Sequence, residues 1–126
     1  MSFKTDYKAV AGLGSAKDGT HHFISQRLTA IALIFLAPAF VYTFSQALGG
    51  GHAGMLATYA HPFHALVAIG FFIVGFRHLR LGLQVVIEDY IHTERTRLIC
   101  LILNALTWRG VAIAGAFAVA KIALGA

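Results

Sequence analysis

Ionisable and polar side chains interrupt one long apolar segment of the chain. Arg77, His78 and Arg80 occur together, and Asp89 and Tyr90 follow near the end of the same segment. If the segment crosses a bilayer, such residues are costly, and they usually face a bundle interior, a cofactor or a conduction path. They are therefore the first candidates for function, and His78 is the residue to explain.

His78 has small neighbours on its own helical face. Gly75 precedes it by three residues, and Gly82 follows one turn later. Glycine beside a histidine leaves room for a flat macrocycle to approach the backbone, which suits a haem with imidazole as its axial ligand. The alternative is a histidine that hydrogen-bonds to a neighbouring helix, and the spacing leaves both open.

A six-coordinate b-type haem needs two axial ligands, and His78 is the one histidine at mid-helix depth. The second ligand would then come from another chain. His64 lies 14 residues earlier, about 21 Å along a helix, so a di-haem arrangement within one chain is a further alternative. Against it, His64 follows His61 and Pro62 at the mouth of the helix, where imidazoles commonly contact water or head groups.

Asp89 and Tyr90 form a second candidate site. Asp89 follows His78 by eleven residues, which returns it to within about 20° of the same helical face. A phenol can donate a hydrogen bond to a quinone carbonyl, and a neighbouring carboxyl group can help to deliver protons. The alternative is an interfacial anchor, because tyrosine is enriched at head-group level.

Arg27 and His21 precede the first apolar segment. A guanidinium makes paired contacts with carboxylates, and haem propionates are carboxylates. The ordinary alternative for Arg27 is a flanking cation that reaches lipid phosphates.

The elements that position these residues follow from composition. The 126 residues are 58% hydrophobic and 12% charged, with a mean hydropathy of +0.73, which indicates an all-α membrane protein. Three stretches are long enough to span a bilayer: residues 28–48, 63–87 and 98–124. We expect a tail over residues 1–19, a polar turn over residues 20–27, and one three-helix transmembrane domain over residues 20–126. Its small size predicts a heteromeric helix bundle.

The positive charges predict an orientation and exclude one class of partner. Basic residues lie in the N-terminal region and between the second and third segments. By contrast, residues 49–62, which begin with three glycines and are expected to form a loop, contain neither Lys nor Arg. The positive-inside rule therefore places the N-terminus in the cytoplasm. These charges form no single solvated patch, so no nucleic-acid partner is expected.

The third segment carries two further features. Gly110, Ala114 and Ala118 recur at four-residue spacing, as do alanines 112, 116 and 120, which predicts a helix-packing face. Arg109 lies midway along the apolar stretch. It suggests that residues 98–107 form an interfacial helix before the true span begins.

Two motifs together resemble a known family. The run from Gly19 to Ala30 reads GTHHFISQRLTA, and His78 is followed after ten residues by Asp89 and Tyr90. This pattern is similar to the D-type hydrophobic membrane-anchor subunit of bacterial succinate dehydrogenase, respiratory complex II. The resemblance implies three spans, a location in the bacterial inner (cytoplasmic) membrane, and partnership with a C-type cytochrome b subunit, an iron-sulfur subunit and a flavoprotein.

The resemblance also implies roles for individual residues. His78 would be one axial ligand of a haem b shared with the C-type subunit, and Arg27 and His21 would contact the haem propionates. Tyr90 and Asp89 would serve ubiquinone binding and proton delivery. The anchor would not oxidise succinate by itself. A free-standing di-haem cytochrome and a haem-free anchor remain as alternatives, and His22 departs from the family pattern, which often has an acidic residue there.

Overall fold

A computed structural model of the chain describes Thr5, Tyr7 and residues 19–125. Residues 19–125 are helical apart from short connections. Four helices follow one another: α1 (Gly19–Leu48), α2 (Gly51–Ala60), α3 (Pro62–Tyr90) and α4 (Glu94–Ala123). α1, α3 and α4 are long and apolar enough to cross a membrane. The expected all-helical fold with three candidate spans is therefore confirmed.

The helices are longer than the apolar stretches predicted. α1 begins at Gly19 rather than at residue 28, so the polar turn expected over residues 20–27 is wrong. Those residues contain neither glycine nor proline, and nothing in them stops the helical hydrogen-bond ladder. α3 likewise extends beyond the predicted residues 63–87 at both ends. α4 begins at Glu94, four residues before the predicted start at residue 98. The tail expected over residues 1–19 lies almost wholly outside the described residues.

α2 occupies the segment expected to be a loop. Gly51 has a φ of 57°, a left-handed conformation that glycine adopts without strain, and it reverses the chain after α1. A β-carbon at Gly54 would stand 2.7 Å from the carbonyl oxygen of Ala47, so only glycine permits this close return. At the other end of α2, Tyr59 is buried against the bundle.

α3 is the central helix, because it packs against both α1 and α4. On the α1 side, the rings of Phe40 and Phe71 stack at 4.3 Å between centroids. On the α4 side, Phe76 stacks on Trp108 at 5.6 Å. Aromatic pairs of this kind add to the free energy of burial. They fix the rotation of α3, and hence the direction in which its polar residues face.

The small residues of α4 do not all pack against another helix of this chain, as their four-residue spacing had suggested. Gly110, Ala114 and Ala118 are exposed in the single chain. In this part of α4, the helix instead meets the rest of the bundle through Gly115, which lies against the Phe72 ring, and through the buried Val119. The row of Gly110 is therefore available only to lipid or to another chain.

Arg109 does not interrupt the third span. α4 runs continuously from Glu94 to Ala123, so no break in the helix separates residues 98–107 from the rest of the apolar stretch, and their interfacial placement stays a prediction. The amide of Asn104 ties this half of α4 to α3 by donating to the carbonyl oxygen of Arg80 at 3.0 Å. A side-chain hydrogen bond of this kind between helices stabilises membrane bundles.

Large apolar side chains cover the outside of the bundle. Phe35, Ile113 and Phe117 are each about 70% exposed, at 73%, 70% and 69%. The buried core is small by comparison, and its fully enclosed members are Ala47 and Ala68. Such a surface is stable only against lipid or other transmembrane helices.

Candidate functional site

A groove of about 780 Å³ opens between the first turns of α1 and the last turns of α3. We call it the α1–α3 groove, and the end of the bundle where it lies the Gly19 end. Both helices contribute polar and apolar side chains to its walls. The lining residues are Gly19, His22, Phe23, Gln26, Arg27 and Ala30 of α1, and His78, Gly82, Gln84, Val85 and Glu88 of α3.

His78 is held from α1. Its Nδ1 atom lies 2.9 Å from the hydroxyl oxygen of Thr29, and the Thr29 residue is only 8% exposed. Since Nδ1 is occupied, Nε2 is the ring nitrogen left for any ligand in the groove. A histidine fixed through one nitrogen with the other free is the usual arrangement at protein metal ligands.

Two polar atoms on the α1 side of the groove are buried and have no hydrogen-bond partner among the described residues. They are Nε2 of His22 and Oε1 of Gln26. An unsatisfied buried polar atom costs about 1–3 kcal/mol, so a partner such as water, an ion or a ligand is expected to satisfy it. These atoms therefore point to a polar ligand in the groove.

The groove also carries charge of both signs. The guanidinium of Arg27 lies over the ring of Phe23, 5.2 Å from its centroid, in a cation–π contact. On the α3 side, the amide of Gln84 donates to a carboxylate oxygen of Glu88 at 2.9 Å. Because Glu88 is bonded to Gln84 and Arg27 contacts only the Phe23 ring in these two interactions, the Arg27 guanidinium can still bind an anionic group on the α1 side of the groove.

The two glycines beside His78 have different surroundings. A β-carbon at Gly75 would make ordinary contact with Leu33 of α1 at 3.8 Å, so this glycine serves helix packing. Gly82 lines the groove, and its nearest neighbour in space is the amide nitrogen of Gln26, 3.6 Å from a β-carbon position. Of the two, only Gly82 provides the room for a macrocycle that the sequence suggested.

The structure brings some of the predicted site residues together and leaves others apart. His78 and Arg27 both line the groove. His21 is exposed and does not line it, whereas its neighbour His22 does. Asp89 and Tyr90 also lie outside it at the end of α3, and Tyr90 is 79% exposed. The predicted haem and quinone residues therefore occupy separate places at the same end of the bundle.

Sequence reasoning missed the groove residues His22 and Gln26, and it missed Thr29, which contacts His78 from α1. His22 and Gln26 are four residues apart, so they share one helical face with each other. Thr29 is recognised only through His78, a residue 49 positions away on another helix. No local pattern marks such a contact.

Arg77 and Arg80 flank His78 but do not line the groove. A guanidinium nitrogen of Arg77 donates to the hydroxyl of Ser25 on α1 at 3.5 Å, at the long limit for a hydrogen bond. The contact of Arg80 with Asn104 is through its backbone carbonyl. Neither arginine side chain is therefore part of the groove wall around His78.

His64 has a structural partner at the opposite end of α3. Its Nδ1 atom lies 3.1 Å from the carbonyl oxygen of Thr58, which can only accept, so Nδ1 donates. The His61 ring packs beside it, with 4.8 Å between centroids. Across the described ranges, no group of three or more His, Cys, Asp or Glu residues could hold a metal ion.

Comparison with known proteins places the chain in a family. Residues 1–118 match the family model described as "Succinate dehydrogenase/Fumarate reductase transmembrane subunit". This chain belongs to that family of transmembrane subunits. No solved structure matches it.

Relatives of this transmembrane subunit carry a common name, "Succinate dehydrogenase hydrophobic membrane anchor subunit". The protein from Paracoccus denitrificans is 36% identical over 126 residues, covering 100% of this chain and 97% of the relative. Those from Rickettsia conorii and Rickettsia bellii are 33% and 32% identical over 96 residues, covering 75% of this chain and 76% of each relative. The resemblance seen in the two sequence motifs is thereby confirmed, and the chain is a multi-pass membrane-anchor subunit of succinate dehydrogenase.

Proposed function

We propose that this anchor subunit contributes one axial ligand, His78, to a haem b at its α1–α3 groove. The observation that carries the proposal is the state of His78: Nδ1 is held by Thr29, and the residue lines a groove of about 780 Å³. Neutral imidazole with one free nitrogen is a common axial ligand of haem iron. The groove therefore has the chemistry that a b-type haem requires.

The other residues of the groove fit the group. Arg27 is suited to a propionate, because guanidinium binds carboxylates through paired hydrogen bonds. The unpartnered Nε2 of His22 supports a second propionate contact. His21, which the resemblance implied for this role, is exposed outside the groove. Phe23, Ala30 and Val85 add apolar surface for the macrocycle.

The second axial ligand belongs to a partner in this proposal. Described residues supply one histidine to the groove beside His78, namely His22, and we assign that one to a propionate. The C-type cytochrome b subunit is the proposed source of the opposing histidine. The apolar outer surfaces of α1 and α4 leave area for this partner, and the iron-sulfur subunit and flavoprotein would dock at the Gly19 end.

When bound, haem b supplies a one-electron redox centre near the quinone site. The contributions of this chain are separate from that chemistry. Thr29 fixes the orientation of the His78 ring. The Arg27 guanidinium attracts negatively charged carboxylates to the groove wall. Phe23 contributes a cation–π contact that favours one position of the Arg27 guanidinium.

Tyr90 and Asp89 are the proposed contribution to ubiquinone reduction. Reduction of a quinone to a quinol takes two electrons and two protons, so the site needs a hydrogen-bond donor to the carbonyl and a route for protons. The Tyr90 hydroxyl provides the donor, and the Asp89 carboxyl group organises proton delivery. Because Tyr90 is 79% exposed in this chain, partner subunits must complete the walls of the site.

The proposed location is the bacterial inner membrane, with the Gly19 end on the cytoplasmic side. This orientation follows from the basic residues at the Gly19 end and from the absence of Lys and Arg in residues 49–62. It puts Tyr90 and Asp89 on the side from which the soluble subunits would deliver electrons.

The test is a comparison of His78→Ala with His64→Ala in the purified, assembled complex. Reduced-minus-oxidised absorption spectra report the haem, and succinate–quinone reductase activity reports turnover. His78→Ala is expected to lose the b-type band while the subunits remain assembled. His64→Ala is expected to keep it, since the Nδ1 of His64 is bonded to the Thr58 carbonyl at the far end of α3.

Each other outcome selects an alternative. An unchanged band in His78→Ala would overturn the ligand assignment and favour a haem-free anchor beside a haem held elsewhere. Loss of half the haem in each variant would favour a di-haem cytochrome that uses both histidines.

A further inference from the structure

Thr29 makes three short contacts through one hydroxyl oxygen. That oxygen lies 2.8 Å from the carbonyl oxygen of Ser25, 3.0 Å from that of Gln26 and 2.9 Å from Nδ1 of His78. A hydroxyl has one proton to donate and two lone pairs that accept. The three contacts together therefore determine where the protons lie.

Carbonyl oxygens can only accept, whereas a histidine Nδ1 either donates or accepts, depending on the tautomer. If Thr29 donated to His78, both carbonyls would face the hydroxyl oxygen without a proton between them. All three contacts are satisfied when Thr29 shares its proton between Ser25 and Gln26 and accepts from Nδ1–H. His78 is then the Nδ1–H tautomer, with its lone pair on Nε2.

The position of Thr29 is fixed before any ligand binds. Threonine is branched at Cβ, so few side-chain rotamers are available to it in a helix, and the back-bond to Ser25 selects one of them. Thr29 is also buried between α1 and α3. Near this level Gly75 of α3 faces Leu33 of α1, which would lie 3.8 Å from a β-carbon at residue 75.

We propose that Thr29 is a positioning residue that selects the ligating tautomer of His78 and orients its ring. This inference rests on the haem ligation proposed above. A hydrogen bond from Nδ1–H makes the imidazole a more basic ligand and fixes its angle. More basic ligands stabilise oxidised iron over reduced iron, so Thr29 lowers the reduction potential of the haem and strengthens its retention.

The experiment compares Thr29→Val with Thr29→Ser in the assembled complex. Valine keeps the branched shape and removes the hydroxyl, whereas serine keeps the hydroxyl and removes only a methyl group. The measurements are the midpoint potential of the b-type haem by redox titration and haem retention against a haem-scavenging protein. In Thr29→Val the potential is expected to shift positive, and haem affinity to fall about 10–100-fold. In Thr29→Ser both are expected to stay near the wild-type values.

Wild-type potential and retention in Thr29→Val would overturn the inference, and so would equal changes in the valine and serine variants. If the valine variant fails to assemble, Thr29→Ala removes the hydroxyl without adding an atom, and the same two quantities decide. Failure of the haem-ligation proposal is distinguishable, because His78→Ala would then retain the haem band. In that case Thr29→Val would leave the spectrum and the potential unchanged because His78 is not the haem ligand, which the His78→Ala spectrum would already have shown.

Discussion

The ring of Phe72 on α3 lies directly against the backbone of Gly115 on α4. A β-carbon at Gly115 would stand 2.7 Å from Cδ1 and 2.9 Å from Cε1 of that ring, closer than carbon atoms pack in proteins. Phe72 has limited room to withdraw, because Phe76 stacks against it with 5.8 Å between centroids and Phe40 meets it edge-on at 5.9 Å. The spacing of α3 and α4 therefore depends on the absence of a side chain at residue 115.

Gly115→Ala is expected to destabilise the assembled complex by about 1–3 kcal/mol through overpacking. Gly110→Ala is the matched control on the same helix, since a β-carbon there would meet nothing within 4 Å in this chain. The measurement is thermal unfolding of the purified complex in detergent. Equal melting temperatures for Gly115→Ala and the wild type would contradict the close contact.

Tyr59→Phe tests a buried hydroxyl that has no hydrogen-bond partner among the described residues. Tyr59 is 5% exposed, and it packs with Ala65, Ala68 and Val119. Because removing an unsatisfied polar group also removes its desolvation cost, stability is expected to be unchanged or to rise by up to about 1 kcal/mol. Tyr59→Ala should instead cost about 3 kcal/mol or more through the cavity it leaves. A clear loss of stability in Tyr59→Phe would reveal a partner for the hydroxyl in the assembled enzyme.

His22→Ala is expected to weaken haem retention more than His21→Ala does. His22 places an unpartnered Nε2 at the groove, whereas His21 is exposed outside it. A hydrogen bond to a charged propionate is worth enough to lower haem affinity by about tenfold or more when it is lost. The measurement is haem transfer to a scavenging protein, with subunit content as the control. The opposite order would show that the partner subunits bring His21 to the propionates.

Tyr90→Phe is expected to impair quinone reduction without changing the haem spectrum. Loss of one hydrogen bond to a quinone carbonyl should lower kcat/KM for the quinone by about threefold to tenfold. Tyr42→Phe is the control, since Tyr42 is also exposed but lies near the other end of α1. Steady-state succinate–quinone reductase assays with varied quinone measure the effect. An unaltered kcat/KM would make Tyr90 an interfacial anchor.

Apolar length alone was enough to predict the three spans, because the requirement for internal backbone hydrogen bonding leaves few alternatives in a bilayer. The start of α1 was missed because residues 20–27 are polar, yet their side chains line the groove or remain exposed. α2 was missed because a glycine run normally indicates a loop. Here Gly51 and Gly54 serve instead to turn the chain tightly back onto α1.

His78 could be selected from the sequence as a candidate functional residue, because a histidine within a membrane-spanning segment is rare and costly. Its partner Thr29 could not, since their contact depends on how α1 and α3 are rotated and spaced. The choice between His21 and His22 depends on the same rotation: adjacent residues differ by about 100° around a helix, so only one of them faces the groove. Tertiary packing decides such questions, and no local pattern encodes it.

The connection between α3 and α4 consists only of residues 91–93, which has a consequence for biogenesis. Links of this length are typical of αα-hairpins, in which two antiparallel helices lie side by side. We therefore expect α3 and α4 to insert together as a helical hairpin, with the Asn104 bond to the Arg80 carbonyl formed during that step. His78 and Thr29 meet only where α3 packs on α1, so we expect the α1–α3 groove to form when this hairpin docks on α1.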